Sequence, residues 1–219
     1  MAKLKTQYFC QNCGAQYSQW HGQCKTCGEW NTLVEEIVEK STKSVVAKSK
    51  SSIINIIEVE TNEEPRIKTP SEELDRVLGG GIVLGSVTLI GGEPGIGKST
   101  LLLQLALKMK KKILYVSGEE SASQIKMRAD RLAEVKNPNC FLFTETNVEK
   151  ILHEAKKLMP DFMIIDSIQT LQSQLIESSP GTVSQIRECS NEIIKFAKEN
   201  NIPVFLVGHI TKDGQIAGP

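Results

Sequence analysis

An excess of charge of either sign is missing from this 219-residue sequence: Lys plus Arg and Asp plus Glu both number 26. That balance excludes a whole-chain electrostatic pull toward nucleic acid, so any such contact has to come from a local patch. Long apolar runs are missing too. No stretch reaches the roughly 18 residues that a membrane-spanning helix needs. The opening, Met1 to Cys10, has neither the apolar stretch nor the small-residue cleavage site of a secretory signal. The expected compartment is therefore the cytoplasm, with no membrane partner. No internal repeat is visible.

What the sequence does contain is enough for one domain of ordinary size and a small accessory module. Hydrophobic residues make up 40% and charged residues 24%, a balance that supports a packed core. Six cysteines are present, four of them as two Cys-x-x-Cys pairs, Cys10/Cys13 and Cys24/Cys27, separated by ten residues. Residues 1–34 are too few to bury a core and need a staple. A Gly follows each pair (Gly14, Gly28), as tight metal-binding turns require. Four thiolates complete a tetrahedral Zn²⁺ shell and leave no open position, so the site is expected to be structural. Two disulfides are the rival reading, which a reducing compartment disfavours. His21 is superfluous as a ligand. Trp20 and Trp30 are expected to pack the module, and Cys140 and Cys189 to be small buried residues.

Residues 35–64 are rich in Ser, Lys and Glu and read as a linker. The apolar patch Ile53 to Ile57 is alternatively a short strand docking on the next domain. From residue 65 to 219 the text alternates strand and helix. Apolar runs at 86–90, 113–117, 141–143, 162–166 and 204–207 read as strands. Between them, helices are expected from Lys98 to about Lys110, from Ser121 to about Leu132, from Asn147 to near Leu158, and from Thr182 to Asn200. Leu101, Leu102, Leu105 and Met109 form the expected apolar side of the first. Ser121/Gln124 and Thr182/Gln185 resemble capping boxes. Strands without alternation, separated by helices, mean a parallel sheet covered on both faces, an α/β fold.

Gly92-Glu93-Pro94-Gly95-Ile96-Gly97-Lys98-Ser99 satisfies G-x-x-x-x-G-K-[ST] at every fixed position, with a strand before it and a helix after. Glycines let the main chain turn so that its N–H groups converge on phosphate oxygens, and the helix adds its positive end. Lys98 supplies charge at the β- and γ-phosphates of ATP, and the Ser99 hydroxyl is a Mg²⁺ ligand. Asp166 closes an apolar strand, where it either completes the Mg²⁺ site or caps the next turn. Glu119 and Glu120 follow the second strand; one of them, preferably Glu119, is placed to polarise the attacking water, and the alternative is a solvated acidic pair opening a helix.

Taken with the cysteine unit, four stretches resemble the RadA (Sms) family of bacterial DNA repair proteins, which are RecA-like P-loop ATPases. They are Leu74 to Ile82, Gly92 to Thr100, Tyr115 to Ser121 and Ile165 to Thr170; Pro180 to Glu188 and Val207 to Pro219 match as well. The resemblance runs along essentially the whole chain. It implies a RecA-like core preceded by a zinc-ribbon-like module. It also implies a hexameric, DNA-dependent ATPase that drives branch migration at recombination intermediates. Single-stranded or branched DNA, recombinase and repair proteins are the implied partners. On that basis Lys98, Ser99 and Thr100 fall to nucleotide and Mg²⁺, Glu119 to the catalytic acid position, Asp166 to the Walker B acid and His209 to a γ-phosphate sensor. Thr211 to Pro219 falls to a DNA-contacting loop, where Lys212 is the single basic residue. Members of that family continue with a Lys-Asn-Arg-Phe-Gly motif and a domain similar to the Lon protease fold. The resemblance therefore implies a chain that stops short, whose ring assembly and turnover are open. A regulatory ATPase acting on protein partners is the rival class.

Overall fold

The structure, a computed structural model, describes residues 5–38, 55–58, 65–132 and 137–209. The N-terminal unit contains β1 (Lys5–Cys10), β2 (Gln16–Tyr17) and β3 (Leu33–Val38), an antiparallel sheet in the order β2-β1-β3. Its core is tiny: Cys10, Cys24 and Leu33, with Cys13, Ala15, Tyr17 and Cys27 against them. The glycines after each pair adopt the left-handed conformation, φ +70° at Gly14 and +77° at Gly28. Each sends its N–H back to the first cysteine of its pair at 2.8 Å. Trp20 and Trp30 do not pack the module as expected. They flank Gly22 and remain 56% and 67% exposed, because the four cysteines fill the little interior there is. The ring of His21 meets Tyr17 edge-on instead of joining the thiols.

Ile56–Glu58 is a single 3-10 turn with Ile56 and Ile57 exposed, so it is not the alternative strand; Ile53 and Ile54 lie outside the described residues. The larger unit opens with β4 (Arg66–Ile67), α1 (Glu72–Val77) and β5 (Ile82–Val83), β4 and β5 forming a two-stranded pair. There follow β6 (Val87–Gly92), α2 (Lys98–Lys108), β7 (Ile113–Ser117), α3 (Ala122–Leu132), β8 (Cys140–Thr144) and α4 (Val148–Leu158). The unit closes with β9 (Phe162–Asp166), a 3-10 turn at Ile168–Thr170, α5 (Val183–Asn200) and β10 (Val204–His209). The five long strands are all parallel, in the order β6-β10-β9-β7-β8.

Both faces of the central strands β10, β9 and β7 are covered, which explains their continuous apolar runs, while the edge strands β6 and β8 stay partly exposed. Leu114, Val116, Met163, Ile165, Val204 and Leu206 pack against α4 and α5. Ile113, Tyr115, Phe162, Ile164, Phe205 and Val207 pack against α2 and α3. On α2 the buried apolar residues are Leu102, Leu103, Leu105, Ala106 and Leu107, with Met109 buried at the C-cap, while Leu101 faces outward. The expected stripe was wrong at Leu101 because so many successive Leu residues do not define one helical face. Asn147 caps α4 by accepting from the Lys150 N–H, and Ser121 with Gln124 closes a reciprocal capping box on α3. Thr182 does half of the same job on α5: its hydroxyl receives the Gln185 N–H. The Gln185 side chain turns away, binding the main chain of Ser173, Ile176 and Ser178, so this box is open on one side.

Candidate functional site

Register positions the site before any side chain is considered. In the β6–β10 pairing Gly92 stands beside His209; in the β7–β9 pairing Ser117 stands beside Asp166. The phosphate loop, the acids that follow β7, Asp166 and His209 thus emerge at the carboxyl edge of one sheet, where ligands of open α/β sheets bind. They line a cleft of about 360 Å³.

Gly95 and Gly97 hold φ of +80° and +103°, and Gly97 is the residue from which α2 starts. A side chain there would be strained, since L residues rarely adopt that conformation. Lys98 is 7% exposed and folded inward, donating to the carbonyls of Gly92 at 2.8 Å and Glu93 at 2.9 Å. The Lys98 ammonium also lies 3.3 Å from His209 Nδ1. An ammonium can only donate, so Nδ1 accepts and Nε2 carries the hydrogen. That Nε2 lies 3.5 Å from Glu119 Oε1. Glu119 Oε1 accepts a 2.6 Å bond from the fully buried Ser167.

The second half of the site centres on Asp166, 6% exposed. Its Oδ1 accepts from Ser99 Oγ at 2.9 Å and its Oδ2 from Tyr115 Oη at 2.7 Å. Glu120 behaves differently from its neighbour. It pairs with Arg128 at 2.6 Å, while Glu119 is tied to Ser167 and His209. Gly118, just before the acids, has to be glycine: an added Cβ would fall 2.1 Å from Thr170 Oγ1. Gln169 Nε2 donates to the His209 carbonyl at 3.3 Å and so links the turn after β9 to the end of β10.

The structure thus brings together Lys98, Ser99, Glu119, Asp166 and His209, all named from sequence, with Gly92 to Thr100 forming the loop and first helical turn beneath them. Thr211 to Pro219 lies outside the described residues. Sequence reasoning missed Tyr115, Ser167, Arg128 and Gln169. Only Tyr115 left a signal, as the one polar-tipped side chain in the run Ile113-Leu114-Tyr115-Val116.

Cys10, Cys13, Cys24 and Cys27 form the second cluster, their sulfurs within 4.8 Å of one another. Burial works against ionisation of Cys24. Hydrogen bonds from Tyr17 and from main-chain N–H groups outweigh it and bring the thiol down to about 5. Burial drives Cys13 up to about 12. Four converging sulfurs are a soft donor set of the number that a tetrahedral Zn²⁺ shell takes. Cys189 is buried as expected and Cys140 only half-buried; both stand apart from the cluster, and burial pushes their thiols up to about 12 and about 11. No helix among the described residues is long and apolar enough to cross a membrane.

Residues 55–215 match the family model described as AAA domain, and residues 8–35 match the rubredoxin metal binding domain. Over its whole length the chain is 48% identical to DNA repair protein RadA of Bacillus subtilis and covers 50% of that protein. It is 51% identical to DNA repair protein RadA of Aquifex aeolicus, covering 49%, and 47% identical to that of Pseudomonas aeruginosa, covering 49%. The chain spans about half the length of these relatives. The resemblance read from the motifs, to a RadA-type P-loop core behind a zinc ribbon, is borne out.

Proposed function

The chain belongs to the AAA-domain family, and from that premise we propose that the cleft binds ATP with Mg²⁺ and hydrolyses it, as the motor of a DNA repair protein. One observation carries this reading: the loop lysine, the Ser99–Asp166 pair and Glu119 share one cleft at the strand ends. Lys98 is held by two carbonyls that a triphosphate would replace, while the N–H groups around Gly95 and Gly97 receive the phosphate oxygens. Ser99 and Asp166 would hold Mg²⁺, which neutralises charge on the β- and γ-oxygens. Glu119 would orient the attacking water and accept its proton. His209, between Lys98 and Glu119, is positioned to respond to the γ-phosphate. Cys10, Cys13, Cys24 and Cys27 would hold one structural Zn²⁺, which supplies the folding energy that a core of three buried residues lacks.

The relatives' name and the resemblance together support DNA, single-stranded or branched, as the activator. Branch migration, hexamer formation, recombinase partners and a cytoplasmic location belong to the same proposal. Lys98→Ala tests the nucleotide half: turnover should fall about 10²-fold or more with the circular dichroism melt little changed. Full retained turnover rejects the assignment. ATP hydrolysis with and without single-stranded DNA at low salt tests the other half. An unstimulated rate in a longer form of the chain would point to protein partners instead.

A further inference from the structure

We propose that Tyr115 is a positioning residue of this cleft. Its buried hydroxyl holds the Asp166 carboxylate in the one orientation that turns a single oxygen toward Ser99 and the cation the two would share. The proposal rests on the ATPase reading above. It begins from sheet geometry. Ser117 pairs with Asp166, so Tyr115, two residues back on β7, is the diagonal neighbour of Asp166 on the same face. A diagonal neighbour on the adjoining strand is within reach of a long aromatic side chain such as tyrosine. The hydroxyl donates to Asp166 Oδ2 at 2.7 Å.

Two observations separate this from a tyrosine that merely fills the core. First, the ring is 1% exposed between β7 and the α2–α3 layer, a place that phenylalanine would fill equally well; only the hydroxyl distinguishes the two, and Asp166 is its hydrogen-bond partner. Second, the division of labour on the carboxylate is complete: Oδ2 is taken by the phenol and Oδ1 by Ser99. A buried carboxylate without its donor has to rotate, take up a proton or draw in water, because an unpaired buried charge is costly. Rotation moves Oδ1 away from Ser99, and a proton on the carboxylate weakens it as a ligand. Partners that orient a metal's carboxylate ligand typically contribute about 10–100-fold to metal affinity.

The test is equilibrium binding of a fluorescent ATP analogue to the full 219-residue chain, in EDTA and across a Mg²⁺ series, for wild type, Tyr115→Phe and Lys98→Ala. The phenylalanine variant is expected to bind the analogue in EDTA as wild type does and to need about tenfold more Mg²⁺ for half of the Mg²⁺-dependent gain. A Mg²⁺ midpoint within twofold of wild type overturns the proposal while leaving the ATPase reading intact. Wild-type protein that fails to bind the analogue, with or without Mg²⁺, removes both. If Tyr115→Phe does not fold, 3-fluorotyrosine protein answers instead, with the Tyr8 and Tyr17 signals identified from their single phenylalanine variants. The Tyr115 fluorine resonance should move when Mg²⁺ is added to the nucleotide-bound chain, and a stationary resonance overturns the proposal.

Discussion

Glu119 and Glu120 are adjacent in sequence and chemically identical, yet their partners assign them different work. Glu120 is neutralised by Arg128, whereas Glu119 is held by Ser167 and His209 beside Lys98. A carboxylate already committed to a guanidinium is a poor proton acceptor. Glu119→Gln should therefore lower ATP turnover about 10²–10⁴-fold with little change in nucleotide affinity, since glutamine still accepts from Ser167. Glu120→Gln should cost far less. Steady-state hydrolysis paired with equilibrium nucleotide binding checks both, and equal losses in the two variants would contradict the assignment. At this scale the phosphate loop was fully legible, because its chemistry is covalent spacing: glycines, lysine and serine within eight residues. Ser167 and Tyr115 were not, because they meet Glu119 and Asp166 across 48 and 51 residues of chain. Strand register makes those contacts, and register is not written in either segment alone.

The helices α2 to α5 were legible from a cap, a breaker or the phosphate loop; α1 was not, although Ser71 caps it by accepting from the Leu74 N–H. Asn147 and the Ser121/Gln124 pair bound their helices as read, and Asn201, in left-handed conformation at φ +54°, ends α5 just past the expected Asn200. Orientation was harder: the leucine run of α2 misplaced Leu101, and Gln185 left its capping role to organise the loop at Ser173 to Ser178. α5 also carries a cost of its own. Glu188 is half-buried, and burial, then the charges of Glu192 and Glu149, raise its pKa above the ordinary carboxylate value. A raised folded-state pKa means the folded chain prefers the neutral acid. The associated stability is present in acid, below the unfolded-state value, and is lost as pH rises through the folded-state value. Glu188→Gln, which cannot ionise, should raise the melting temperature by a few degrees at pH 7. The gain should shrink as pH falls through the carboxylate range. Thermal melts at neutral and acid pH check this, and a gain that persists in acid would assign the effect to packing.

The whole molecule has two stability systems of different kinds. The α/β unit rests on apolar layers on both faces of a five-stranded sheet. Among the described residues the N-terminal unit has a hydrophobic core of three buried side chains, two of them among its four convergent sulfurs, so little holds it except what those sulfurs bind. Among the described residues α5 meets the N-terminal unit at Gly14, where Arg187 donates to the carbonyl at 3.3 Å and the Val183 side chain lies alongside. A hydrogen bond from a charged group contributes about 1.5–3 kcal/mol, too little to make two such units melt as one. Both tryptophans of the chain, Trp20 and Trp30, lie in the N-terminal unit, so indole fluorescence reports on that unit alone. Reduced protein should release about one zinc ion per chain to a strong chelator, because four thiolates complete one tetrahedral shell. The tryptophan emission should then change while the far-ultraviolet circular dichroism melt of the α/β unit moves little. Cys10→Ser should reproduce the fluorescence change without chelator and leave nucleotide binding near wild type. A chelator that lowers the α/β melt in step with the tryptophan signal would show that the Gly14–Arg187 contact couples the units far more strongly than one hydrogen bond can. Reduced protein with no bound zinc would remove the four-thiolate site itself.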